Sequence, residues 1–391
     1  MAMTAPDADR PARDRLEFAG LAGLLGFVAA LQISIAAAET LLAITLLVWV
    51  IWLVARRERV EVPRMFIPLA AYAGVTLVSA AFSSDPRTSF TDCKQLALFL
   101  AVPIVYQFAR GSRASTVLQV IISVGAASAA FGIVQYGVLE YDNLGRRPQG
   151  ALGHYMTYSG LLVLVTCAAS ARVLFSRDRA WPALMMPALL VALALTFTRS
   201  AWVGACVSIA LLLSLKDFRL VAVLPILAAL FFALAPARVT DRFYSMFDLR
   251  DPTSRDLVAM LQEGVRMIAA HPLTGVGPNM VEERRLDYLS PSDPEHVNPH
   301  LHNVPMQIAA ERGLPALGIW IWFILTLIVD FVRRLRTSPQ RLFPAAGLAA
   351  VAAMLAAGMF EYNFGDVEVL MATLVVATLP FAGRARPPAA D

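Results

Sequence analysis

The segment HLHNVPMQIAAERG, residues 300–313, holds the side chains best suited to acid–base chemistry. A neutral histidine can take a proton from a hydroxyl group near pH 7 when a second group orients its ring. His300 and His302 are the candidate bases, and Glu311 is the candidate orienting group. Histidines at i and i+2 on an extended chain also suit zinc, and histidines at a membrane boundary are often inert. The segment therefore predicts a general base, with a zinc site and an inert histidine as the alternatives.

Arginines that could bind phosphate oxygens occur in three other polar segments. Arg199 lies in the short turn TFTRSAWVG, Arg255 and Arg266 belong to one helical pattern, and Arg147 begins RPQGALGHYMTYSG. A guanidinium group binds two phosphate oxygens at once, so these arginines would suit a diphosphate if the fold brings them to one pocket. The alternative for each is a side chain that only extends to water or lipid headgroups.

The sequence predicts two structural elements that would position these histidines and arginines. Thr253 with Asp256 resembles a capping box, and Pro272 ends the pattern, so an amphipathic helix along the membrane surface is predicted between them. The apolar stripe of this helix consists of Leu257, Leu261, Val265 and Ile268. The following segment HPLTGVGPN, residues 271–279, predicts a rigid elbow, because its glycines have neither the P-loop nor the dinucleotide-binding spacing.

The composition indicates that these candidate residues belong to a membrane protein. Of 391 residues, 58% are hydrophobic and 16% are charged, and the mean hydropathy is +0.62, which excludes a soluble enzyme. Apolar runs of about 15 to 25 residues are long enough to cross a bilayer as helices. We expect an all-α bundle of about twelve membrane-spanning helices with a large, partly helical external loop. The predicted spans are 18–38, 40–55, 65–82, 95–109, 114–138, 157–175, 181–197, 201–215, 220–236, 313–332, 342–360 and 367–382.

The arginine distribution predicts the orientation. Arginine-rich connections such as RRER at 56–59 and RRLR at 333–336 alternate with others, so the positive-inside rule places them and both termini in the cytoplasm. All five histidines then lie on the external face. The net charge of +4 follows this orientation signal, so nucleic acid is not expected as a partner. The predicted divisions are a cytoplasmic tail 1–17, helices one to nine 18–236, the external loop 237–312, helices ten to twelve 313–382 and a cytoplasmic tail 383–391.

The order of these segments resembles the O-antigen ligase and polymerase superfamily of bacterial envelope glycosyltransferases. The resemblance rests on the Thr-x-x-Arg-Ser turn, the arginine-bearing helix, HPLTGVGPN and HNVPMQIAAERG ahead of an apolar span, and it covers about residues 146–322. Pro305 departs from the family pattern at the start of the tenth span. The resemblance implies a GT-C-like bundle in the bacterial inner membrane with its active site on the periplasmic face, and the ligase branch is favoured.

The resemblance also implies a reaction in lipopolysaccharide biosynthesis. A glycan would pass, with inversion, from undecaprenyl diphosphate to a sugar hydroxyl of the lipid A core, without metal or other cofactor. By motif position His302 is the base, and Arg199 and Arg255 bind the diphosphate. The residues expected to bind substrate are Arg147, Arg266, His300, Asn303 and Glu311. The alternatives within the superfamily are a polymerase, whose acceptor is another lipid-linked repeat unit, and a protein O-oligosaccharyltransferase.

A secondary transporter is the alternative from a different class, because twelve spans with both termini on one side fit one. Transporters usually carry ionisable residues in mid-membrane or interrupt paired helices there. The predicted spans hold almost no such residues, and Asp330 lies near the cytoplasmic end of its span. The long external loop favours chemistry at one face.

Overall fold

The computed structural model describes residues 10–139, 147–234, 237–245, 252–289 and 299–383, and in these ranges it contains helices and no β-strand. Short 3-10 segments cover Cys93–Leu100, Phe218–Ala222 and Arg285–Tyr288. The helices α1 to α16 are, in order, Arg10–Ala30, Ile35–Arg56, Phe66–Ala81, Pro86–Asp92, Ala101–Phe108, Arg113–Gly137, Tyr155–Phe175, Ala180–Leu195, Arg199–Lys216, Val223–Leu234, Ala237–Tyr244, Pro252–Ala270, Val281–Arg284, Val304–Thr337, Leu342–Ala357 and Val367–Ala382. The predicted all-α class is confirmed for the described part of the chain.

The expectation of about twelve membrane-spanning helices is not confirmed. Five helices in the described ranges are long and apolar enough to cross a membrane, namely α2, α6, α7, α9 and α14. Other apolar helices, among them α8, α15 and α16, have 16 residues each. The predicted span 95–109 is broken, because a 3-10 segment occupies Cys93–Leu100 before α5 begins. Apolar composition alone does not show where the hydrogen-bond pattern changes within a run.

The centre of the bundle is formed by α7, α15 and α16. Most side chains along α7 are buried, and α15 has the alanine-rich sequence LFPAAGLAAVAAMLAA. Small residues let neighbouring backbones approach closely, which is the usual basis of helix packing in membranes. At Gly204 on α9, a Cβ atom would lie 2.9 Å from the carbonyl oxygen of Ala353 on α15. The first turns of α9 therefore pack tightly against the last turns of α15.

A kink divides α14 into a short first part and a long apolar second part. Gly313 has φ 80° and ψ 170°, a conformation that is essentially restricted to glycine. The kink falls at the boundary predicted between the external loop and the tenth span. Asn303 caps the helix by accepting a hydrogen bond from the Met306 N–H at 2.9 Å, and Pro305 lies in the first turn. A proline in the first turn of a helix costs little, because an N–H there has no intrahelical partner.

The loop helix α12 begins and ends close to its predicted limits but packs with another face. Met260, Glu263 and Met267 are buried, whereas Leu261 and Val265 of the predicted apolar stripe are exposed. The reason is a tertiary contact, because Gly264 lets the helix lie directly on Met306 of α14. Glu263 on this face is fully buried because Arg285 pairs with it, at 3.0 Å from Nε to Oε2. A buried ion pair cannot be seen in a hydropathy pattern.

Candidate active site

His302 lies immediately before the head of α14. Its neighbours are held on both sides: the Leu301 N–H donates to Oε1 of Gln307 at 2.7 Å, and the Asn303 side chain donates to the Met359 carbonyl at 3.1 Å. His302 itself has φ 47°, in the left-handed region that non-glycine residues rarely adopt. Such a conformation persists only where the surroundings determine it, and it is frequent at functional sites.

Glu361 is the acidic partner of His302. The two residues come from the head of α14 and from the loop after α15, which meet where the Val304 N–H donates to the Gly358 carbonyl at 2.7 Å. His302 Nδ1 lies 3.2 Å from Oε1 of Glu361, and each side chain is 19% exposed. Burial alone would lower the pKa of His302, but the hydrogen bond and negative charge of Glu361 outweigh it, so the pKa is raised.

The environment of His300 shifts its pKa in the opposite direction. Burial, together with the charge of the neighbouring His302, lowers the pKa of His300, although Glu361, Glu282 and Asp92 partly oppose the shift. Its ring lies 5.1 Å from the ring of Tyr362. Near neutral pH, His300 is therefore the more readily neutral of the two histidines.

Glu311 lies in a buried polar network and not against the ring of His302. It accepts hydrogen bonds from Gln307 Nε2 at 2.9 Å and from the Asn279 N–H at 3.0 Å, and it pairs closely with Arg312. Arg312 also lies 3.5 Å from Oδ2 of Asp92. The carboxylate that lies against His302 is therefore Glu361, and Glu311, the expected partner, pairs with Arg312.

The network attaches the elbow HPLTGVGPN to the kink of α14. The Val276 N–H donates to the Ala310 carbonyl at 2.8 Å, the Gly277 N–H to the Glu311 carbonyl at 2.9 Å and the Leu314 N–H to the Pro272 carbonyl at 2.8 Å. Gly275 has φ 68° and lies directly on the backbone of Glu311, where a side chain would collide. These amides are used inside the protein, so the segment is the rigid elbow expected from its composition and not a phosphate cradle.

Arg199 is the first residue of α9 and lies at the same end of the bundle as His302. The contact of Gly204 with the last turns of α15 places the start of α9 beside the chain that continues to Glu361. The half-buried guanidinium of Arg199 donates to the Ser245 hydroxyl at 2.5 Å. The structure thus brings the arginine of the Thr-x-x-Arg-Ser turn to the end that carries the histidines.

The two arginines of α12 have different surroundings. Arg255 is exposed in the first turn, about 13 Å along the helix from Gly264, where α12 touches α14. Arg266 donates through one NH group to the Tyr288 carbonyl at 2.5 Å. Arg266 therefore holds the 3-10 segment against α12, whereas Arg255 presents its guanidinium to solvent.

Arg147 belongs to a second polar group at the start of α7. Its guanidinium carbon lies 4.6 Å from the centre of the Tyr155 ring, which stacks on His154 at 5.4 Å. Thr157 in the same turn donates to Oδ2 of Asp366 at 2.5 Å. This contact joins the head of α7 to the head of α16. These contacts join the group to α16 and not to His302.

The described residues combine a histidine–carboxylate pair, an arginine at the head of a long apolar helix and a helical loop. Residues 183–321 match the family model described as O-antigen ligase. The match supports the O-antigen ligase and polymerase superfamily for this chain. Among curated proteins, none matches the chain.

The O-antigen ligase match covers about a third of the chain and most of the expected site residues. Those within it are Arg199, Arg255, Arg266, His300, His302, Asn303 and Glu311. Glu361 and Asp92 lie outside the matched range, although the structure packs them against it. Side chains from the remainder of the bundle therefore contact the matched region.

Glu361, Arg312 and Asp92 are the polar residues of this region that sequence reasoning missed. A signal exists for Glu361, because it begins the short polar connection 361–366 between two predicted spans, at the end opposite to the arginine-rich connections. Arg312 lies at the edge of a predicted span, where an arginine side chain normally extends toward water, so a buried position was not expected. Asp92 belongs to a short helix that hydropathy does not distinguish from a loop.

Proposed function

We propose that this protein is an O-antigen ligase that transfers a glycan from undecaprenyl diphosphate to a sugar hydroxyl of lipid A-core oligosaccharide. The match of residues 183–321 to the O-antigen ligase family carries the proposal. The five helices that are long and apolar enough to span a membrane support a donor presented from a bilayer. In this proposal the protein is in the bacterial inner membrane, with its termini in the cytoplasm and the His302 end of the bundle on the periplasmic side.

The base of the reaction is His302. Its Nδ1 faces Glu361, so Nε2 is the ring nitrogen available to an acceptor hydroxyl. The acceptor oxygen attacks the anomeric carbon from the side opposite the leaving group, and the hydroxyl proton goes to Nε2. The bond between the anomeric carbon and the diphosphate oxygen breaks with its electron pair on that oxygen. Undecaprenyl diphosphate leaves, and the configuration at the anomeric carbon inverts.

Arginines stabilise the negative charge that develops on the diphosphate. This task is assigned to Arg199 at the head of α9 and to Arg255 in the first turn of α12. One guanidinium group can bind two phosphate oxygens at once. Arg199 is supported by its place at the His302 end of the bundle. Arg255 is supported by its exposed side chain, which leaves the guanidinium accessible to a lipid-linked substrate.

We further propose that transfer needs no divalent metal. Metal-dependent glycosyl transfer uses clustered carboxylates or histidines as ligands. In the described ranges no three His, Cys, Asp or Glu side chains come together to hold an ion. Glu361 faces His302 and accepts the Tyr362 N–H at 3.0 Å, and Glu311 accepts from Gln307 within its own network.

Purified protein supplied with an undecaprenyl-diphosphate-linked glycan and separate acceptors tests the proposal. We expect glycan on lipid A-core acceptor, retained activity in EDTA, and a loss of about 10² to 10⁴ in rate for His302→Ala. Chain growth on a second lipid-linked unit would identify a polymerase, and transfer to a protein would identify an oligosaccharyltransferase. Activity abolished by EDTA and restored by a divalent ion would overturn the metal-free mechanism. A fully active His302→Ala protein would move the base elsewhere.

A further inference from the structure

We propose that Glu361 is a positioning residue for the base His302, which holds the imidazole in the tautomer that the reaction requires. The proposal rests on the proposed function, since it assigns a partner to the base of that reaction. Two observations support it: His302 Nδ1 faces Oε1 of Glu361, and a backbone hydrogen bond between Val304 and Gly358 joins the two segments. Glu361 lies outside the range matched by the ligase family.

The geometry determines which nitrogen of His302 carries the proton. Nδ1 is 3.2 Å from Oε1 of Glu361, and an ionised carboxylate can only accept a hydrogen bond. Nδ1 is therefore protonated, and Nε2 of the neutral ring has the free lone pair. The same Oε1 also accepts the Tyr362 N–H at 3.0 Å, so the carboxylate has a defined direction. A His–carboxylate pair of this kind both orients a base and stabilises the imidazolium that forms when the base takes a proton.

The backbone on both sides of this pair is fastened. The loop that carries Glu361 supplies the Gly358 and Met359 carbonyls, which accept from the Val304 N–H and from the Asn303 side chain. The strained φ of 47° at His302 is maintained between these contacts. Two segments far apart in the sequence thus hold the ring and its carboxylate in one arrangement.

The charged groups around the pair define the effect on pH dependence. Glu361 faces His302 from the loop after α15, and His300 faces it from its own segment. Glu282 and Asp92 act on His300 from two other elements. Glu361 is the group that raises the pKa of His302 against the effect of burial. Without that charge the pKa of His302 falls, so the neutral base persists to lower pH.

Glu361→Gln tests the proposal in the purified full-length protein, with kcat and KM measured across pH. Activity needs neutral His302, so the acidic limb of the kcat profile reports its pKa. We expect the limb to move to lower pH and kcat at the plateau to fall at least about tenfold, while KM changes little. Glu361→Asp, which keeps the charge, should retain the wild-type limb. Glu283→Gln removes an exposed carboxylate of α13 and serves as the control, with an unchanged profile.

Each outcome decides between the proposals. If Glu361→Gln has the acidic limb and the kcat of wild type while His302→Ala is inactive, the positioning role is wrong and His302 remains the base. An active His302→Ala protein would overturn the base assignment itself. A lower kcat in Glu361→Gln with no movement of the limb would show a structural contact only. If Glu361→Gln does not fold, Glu361→Asp decides the matter. A Glu361→Asp protein whose acidic limb departs from that of wild type refutes the positioning role. An unchanged acidic limb with a lower kcat supports it.

Discussion

Replacing Gly313 by alanine should destabilise the protein and disturb the site through the backbone alone. At φ 80° and ψ 170° a residue with a side chain costs about 1–3 kcal/mol. The added Cβ would also collide with the carbonyl oxygen of Leu273. That carbonyl cannot retreat easily, because the adjacent Pro272 carbonyl accepts the Leu314 N–H at 2.8 Å. We expect the melting temperature in detergent to fall by at least roughly 2 °C, with a lower kcat well below the melting temperature.

Gly318→Ala in the same helix is the matched control. A Cβ at Gly318 would meet no atom within 4 Å, and its backbone is helical, so alanine should stabilise by up to about 1 kcal/mol. Thermal unfolding of the two variants beside wild type gives opposite signs if the reasoning is right. A Gly313→Ala protein as stable and active as Gly318→Ala would show that the kink does not depend on glycine.

Two further predictions concern the arginines and the orientation. Arg199→Lys keeps the charge but loses the paired N–H groups, so kcat/KM for glycan transfer should fall about tenfold, and Arg255→Ala should lower it about 100-fold. Arg284→Ala, which removes a half-buried arginine paired with Asp287 in the same loop, should leave kcat/KM unchanged. Equal activity in all three variants would mean that neither Arg199 nor Arg255 binds diphosphate. In a cysteine-free background, Glu282→Cys should react with an impermeant thiol reagent in intact spheroplasts and Arg341→Cys should not, whereas the reverse labelling would invert the proposed topology.

Several helices could be located from hydropathy because their cause is local. The predicted spans 114–138, 157–175, 181–197 and 367–382 correspond closely to α6, α7, α8 and α16. The number of helices that can cross a membrane could not be obtained in this way. It depends on where a run changes to 3-10 geometry, as at Cys93–Leu100. Such changes are determined by the packing of neighbouring segments and not by the composition of the run.

The face with which α12 packs shows the same limit. Periodicity predicted a buried stripe through Leu261 and Val265, yet the structure buries Met260, Glu263 and Met267. A hydropathy pattern assigns a carboxylate to the surface, because an isolated buried charge is costly. The pairing of Glu263 with Arg285 removes that cost, and it exists only after the 3-10 segment has folded back onto the helix.

The sequence by itself determined that this chain is an all-helical membrane protein, and it pointed to His302, Asn303 and Arg199. The first inference needs only helix-length apolar runs, whereas the choice of His302 and Arg199 came from the order of motifs that resembles the superfamily. The tertiary structure alone decided that Glu361 accompanies His302 and that Glu311 belongs with Arg312. The physical reason is that a hydrogen bond between side chains depends on distance in space. The loop after α15 and the head of α14 come within that distance only when the backbone groups of Val304 and Gly358 have joined them.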